Sequence, residues 1–111
     1  MAQEETTLSK LINITHPFCL YAICEINYDG RASSTLKQGY YLILYKNDGS
    51  LLVHGGDKTI PKNYQSAGAK LIIEGSTIIS KRNKEIIRIK VDSVIFYKQL
   101  ELWAEHSIDI V

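Results

Sequence analysis

The feature that most constrains this chain is its punctuation: runs of β-branched and aromatic residues, each cut off by a turn signal after about ten residues or fewer. Asn47-Asp48-Gly49-Ser50 stands between the apolar runs Tyr40 to Lys46 and Leu51 to His54. Asp-Gly in that setting reads as a tight hairpin, because glycine accepts the positive φ that such turns demand. Phe18 to Tyr28 stops at Asp29-Gly30 in the same manner, and Gly75 and Asn83 separate Ala69 to Glu74, Thr77 to Arg82 and Glu85 to Val91. In the last of these runs Ile87, Ile89 and Val91 alternate with Ile86, Arg88 and Lys90. That period of two turns one apolar face inward and both cations outward. Ser93 to Lys98 and Leu100 to Trp103 read as a further strand or two. Thr7 to Ile14 reads as a short helix or an arm. The expected fold is all-β: a β-sandwich or half-open β-barrel of short antiparallel strands, with residues 1–17 as an arm or short helix and 18–111 as the β domain. A barrel left partly open exposes an apolar edge, so a homodimer is expected.

A length of 111 residues, 45% of them hydrophobic, fits one domain with a real core. No apolar run approaches the ~20 residues that span a bilayer, so no membrane association is expected. Gln3, Glu4 and Glu5 follow Met1 where a secretory signal would carry cations, and the expected location is cytoplasmic. Cys19 and Cys24 lie five apart on one strand, hence on opposite faces, and read as unbridged, buried thiols. The net charge of +1 conceals a basic middle: residues 26–90 hold eleven Lys and Arg against five acids. Such an asymmetry permits a phosphate-binding surface.

Catalysis finds little support. His16, His54 and His106 stand apart rather than at metal-binding spacing, and the two cysteines form no CxxC. GxSxG, GxGxxG and a Walker loop are all missing, and no Glu-x-Lys of the kind that metal-dependent nucleases use occurs. Neither a metal nor another cofactor is expected. Binding chemistry is better represented. Arg31 follows a turn, where its guanidinium can fork onto a phosphate. Tyr64 lies in the polar stretch Pro61-Lys62-Asn63-Tyr64-Gln65, where its ring can stack on a base. Lys62 adds charge beside it, and Asn63 and Gln65 add amides. Arg82, Arg88 and Lys90 supply further cations from the basic middle.

These residues fall into spaced motifs. Cys24, Tyr28-Asp29-Gly30-Arg31-Ala32-x-Ser34, Asn47-Asp48-Gly49-Ser50-Leu51-Leu52-Val53-His54, Pro61-x-Asn63-Tyr64-Gln65-x-x-Gly68 and Ile79-Ser80-Lys81-Arg82 occur in that order. From about Phe18 to Leu102 the string resembles the N-terminal domain of the NucS endonucleases, also called EndoMS. The resemblance implies a half-open β-barrel that dimerises and binds single-stranded or unpaired DNA. It places catalysis in a separate RecB-like domain that uses magnesium or manganese. It also puts the family's DNA-binding arginine on Arg31 and its stacking tryptophan on Tyr64. Departures are visible. Thr59 and Ile60 stand where the family often carries a basic residue, and Ser66-Ala67 replace a pair of prolines. The chain ends at Val111, about where the nuclease domain would begin, so no cleavage is expected from it. The expectation is a non-catalytic, homodimeric binder of single-stranded or branched DNA. Two rivals stay open: an interaction protein that has lost DNA binding, and the binding half of a split nuclease whose catalytic subunit is another chain.

Overall fold

Turn chemistry sets the strand boundaries. The computed structural model describes residues 8–101. In it seven strands follow one another: β1 (Phe18–Asp29), β2 (Ser33–Tyr45), β3 (Leu51–His54), β4 (Asn63–Gln65), β5 (Lys70–Glu74), β6 (Thr77–Arg82) and β7 (Glu85–Gln99). They form one antiparallel sheet in the order β4-β3-β2-β1-β7-β6-β5.

The central place of β1 follows from its alternation. Phe18, Leu20, Ala22, Cys24 and Ile26 are buried on the inner face, while Tyr21 points out. Ile43, Leu51, Val53, Leu71, Ile78, Ile87, Ile89 and Val91 complete the core from the other strands. Each fully buried Leu, Ile, Val or Phe contributes about 1.5–3 kcal/mol. A helical turn at residues 8–11 brings Leu8 and, just beyond it, Ile12 into the same core, and the Asn13 N–H donates to the Tyr97 hydroxyl at 3.1 Å. The expected helix or arm is thus a single turn; Thr7 lies outside the described residues.

An open sheet has two edges, here β4 and β5, and a buried side-chain seam draws one end against the other. Gln65 of β4 donates its amide to the backbone carbonyls of Ser80 (3.4 Å) and Glu85 (3.2 Å), and accepts from the Ser80 hydroxyl. Gln65 is 1% exposed and Ser80 fully buried, so the seam is an interior feature. Beside it the Arg82 Nε donates to the Ala67 carbonyl at 2.8 Å. The curled sheet closes through side chains rather than a backbone ladder. It is a half-open barrel, not a sandwich.

The Asp48-Gly49 hairpin is tied into this closure. Asp48 accepts the Gly68 N–H at 2.9 Å, and Gly49 sits at φ +89° where a Cβ would lie 3.0 Å from the Gly68 nitrogen. Only glycine meets both demands there.

Four expectations change in detail. β2 starts at Ser33, seven residues before the apolar run, because Ser33 to Leu36 pair with the far end of β1 while staying largely in solvent. β7 runs unbroken through Asp92 to Gln99; irregularities opposite Tyr21/Ala22 and Ile23/Cys24 absorb the change of register that sequence reads as a break. Leu100 leaves the strand and donates to the Pro17 carbonyl, and Trp103 lies outside the described residues. Cys19 and Cys24 are free and on opposite faces, but Cys19 is only half-buried. Burial, and secondarily Asp92, pushes the Cys24 thiol up to about 12, so it is a core group and not a nucleophile.

Candidate nucleic-acid interface

Arg31 projects from the β1–β2 turn, which the Gly30 N–H closes by donating to the Ala32 carbonyl at 3.1 Å. Its glycine leaves room for a neighbouring ring. The Tyr28 ring folds over Gly30, and a Cβ there would collide with the Tyr28 hydroxyl. That hydroxyl donates to Glu85 Oε2 at 3.0 Å. The hydrogen bond raises the Tyr28 pKa, with burial adding to it; the Arg31 charge pulls the other way and the Tyr64 phenol adds a small rise. Arg31 and Tyr64 therefore both stand within electrostatic range of one phenol. The fold brings together two residues that are thirty-three positions apart.

Tyr64 is the middle residue of β4, opposite Leu52, and 62% exposed. Sequence reading places it in an irregular loop. The three-residue edge strand does better, because the ladder to β3 and the buried Gln65 beside it fix the backbone that carries the ring. Asn63 Oδ1 accepts the Tyr64 N–H at 3.0 Å, leaving the Asn63 amide nitrogen available as a donor. Lys62 forms an ion pair with Asp57 at 2.8 Å, so its charge is largely answered locally. That exposed pair is weak and can open to a phosphate at modest cost.

Gln65 does not belong to a surface site. Its amide is spent on Ser80 and Glu85 inside the barrel, and the expectation that it contacts a ligand is corrected on that ground. Arg82 is half-buried on the rim with Nε committed to Ala67, which makes it a support of the β4–β5 loop first. Arg88 and Lys90 are exposed on the outer face of β7, as their alternation predicts, opposite Asn27 and Glu25 of β1. They lie on a different surface from the rim that holds Tyr64. Sequence reasoning missed Tyr28 as a member of the site. The signal was the Tyr-x-Gly-Arg spacing, which says nothing of Glu85 fifty-seven residues away.

The magnesium or manganese of nuclease chemistry meets no ligand set in this region: among the described residues no group of three His, Cys, Asp or Glu converges on one point. A family model described as the endonuclease NucS N-terminal PH-like domain matches residues 16–106. The chain belongs to that family. Endonuclease NucS of Pyrococcus furiosus is 38% identical over 86 residues, covering 78% of this chain and 32% of the relative; that of Pyrococcus abyssi is 36% identical, covering 78% and 34%. The chain thus spans about a third of the length of these curated NucS relatives. Among solved structures, a repair endonuclease from Pyrococcus abyssi superimposes with a TM-score of 0.77 at 26% identity, covering 96% of this chain and 49% of the other. A complex of EndoMS with double-stranded DNA superimposes with a TM-score of 0.71 at 27% identity, covering 91% and 45%.

Proposed function

We propose that this NucS-type module binds single-stranded or unpaired DNA, with Arg31 on a phosphate and Tyr64 stacked on a base. The observation that carries the reading is an exposed guanidinium and an exposed ring that both stand within electrostatic range of the Tyr28 phenol. The pairing matches what an unpaired strand offers: a charge and a flat face at each nucleotide. That a solved relative is a DNA complex supports the same class of ligand. The module acts by binding, and cleavage belongs to a separate nuclease domain or subunit.

A second copy is the proposed protein partner. Tyr21, Tyr40, Ile95 and Phe96 are 37–58% exposed and lie together on the outer face of β1, β2 and β7, where Tyr21 pairs with Phe96 and Ile23 with Tyr40. Four large apolar side chains on one open face are a contact surface in search of a cover. Light scattering at micromolar concentration is expected to give about twice 12.6 kDa. A Phe96→Glu variant is expected to return it to the monomer mass.

The binding test is a gel shift of labelled single-stranded DNA, run with and without magnesium or manganese. A retarded band with the strand left intact is the expected result. No retardation of any strand at low salt overturns the reading, and metal-dependent shortening of the strand overturns its non-catalytic part.

A further inference from the structure

We infer a second, basic contact surface on the outer face of β5, β6 and β7, which takes the phosphate backbone of the strand that leaves the Arg31–Tyr64 rim. The inference rests on the DNA-binding reading and extends it to Lys70 and Lys81.

The register carries the argument. Lys70 of β5 stands directly opposite Lys81 of β6, and both are exposed on the outer face. Side chains of such a pair originate about 5 Å apart, and like charges so placed destabilise a sheet. A strand pair that served the fold alone would gain by putting an acid at one of the two positions. Among the described residues none of Lys70, Lys81, Arg88 and Lys90 forms an ion pair, so the charge is left for an outside partner.

The same register aims this pair at the Arg31 turn. Lys81 is opposite Ile86 of β7, and Ile86 is opposite Asp29 of β1, the residue before the Gly30-Arg31 turn. One row of the sheet therefore runs Lys70, Lys81, Ile86, Asp29, and ends at the turn that holds Arg31. At ~4.8 Å per strand the row is roughly 14 Å long, which is about four nucleotides of a stacked strand at ~3.4 Å each. Arg88 lies in the next row, opposite Ile79, and Ile72 continues that row with 45% exposure. Cations beside apolar side chains suit phosphates beside sugars. The acids nearby are Asp29 at the turn, Glu74 and Glu25 one row beyond Arg88, and Asp92 further along β7, which accepts from Gln38; the last three lie around Lys90 rather than the Lys70–Lys81 pair.

The test compares wild type with a Lys70→Gln/Lys81→Gln double variant on two thymidine strands, one of about two nucleotides, too short to reach from the Arg31 turn to Lys81, and one of about fifteen. On the longer strand the variant is expected to lose on the order of tenfold or more in affinity at ~50 mM salt, and its salt slope to shrink by about 1.4 from two lost contacts. On the short strand, which fills only the rim, the two proteins are expected to agree. The melting point of the variant is expected to hold or rise, since a repulsive pair has been relieved. An unchanged slope and affinity on the longer strand, with wild type binding the short one, overturns the basic track and spares the rim. Failure of wild type to bind either strand overturns both. Competition by polyglutamate as strong as that by the longer strand would assign the face to an acidic protein and overturn the track.

Discussion

Replacing Tyr64 by alanine is expected to weaken single-stranded DNA binding by about five- to hundredfold, the equivalent of ~1–3 kcal/mol for one base stacked on an aromatic ring. The melting point is expected to stay nearly constant, because the ring is 62% exposed and leaves no cavity behind. Those two results together separate a ligand platform from a core residue, which would show the reverse pattern. Tyr64→Trp extends the test in the opposite direction. A larger ring on the same edge strand offers more stacking area, and affinity is expected to hold or rise. Affinity by fluorescence anisotropy and melting by circular dichroism, measured on the same preparations, decide the matter. If alanine spares binding and lowers the melting point by many degrees, Tyr64 belongs to the fold.

One residue further along, Gln65→Ala is expected to produce the opposite signature. The substitution leaves the buried Ser80 hydroxyl without its acceptor, removes a second donor from the ladder-paired carbonyls of Ser80 and Glu85, and opens a void in the seam. A buried polar group stripped of its partner costs about 1–3 kcal/mol. A total near 2–4 kcal/mol is expected, some of it recovered as the Ser80 hydroxyl turns to a neighbour. For a domain of this size that lowers the melting point by roughly 10–25 °C. The paired change Gln65→Leu with Ser80→Ala replaces most of the polar seam with apolar contact and is expected to recover much of the loss. A melting point unmoved by Gln65→Ala would mean that the half-open barrel does not depend on this closure.

The contrast between these neighbours shows what the sequence makes legible. Local chemistry read well. Asn47-Asp48-Gly49-Ser50 specifies its hairpin through residues that touch one another, and β3 and β6 fall where expected. Alternation in β7 likewise placed Arg88 and Lys90 outside, because one face must meet the core. Distant pairings were not legible. Gln65 looks like a loop amide until β4 is seen curled against β6. Ser33 to Gly39 is too polar to announce a strand, and is held as one by pairing with the last residues of β1. The same limit hid the Lys70–Lys81 pair, which exists only once the register is known, and the Tyr28–Glu85 bond that steadies the Arg31 turn. Turn position and the polar stretch offered Arg31 and Tyr64 as candidates, and the family resemblance gave them roles; the structure sets both within electrostatic range of the Tyr28 phenol.

The most direct measurement is an anisotropy titration of a labelled single strand, in low salt, with wild type and with an Arg31→Ala/Tyr64→Ala double variant. Saturable binding by wild type that weakens as salt is raised, and its near-complete loss in a double variant with an unchanged circular dichroism spectrum, is the predicted result. A folded wild type that does not bind, or a double variant that binds as tightly as wild type, would contradict it.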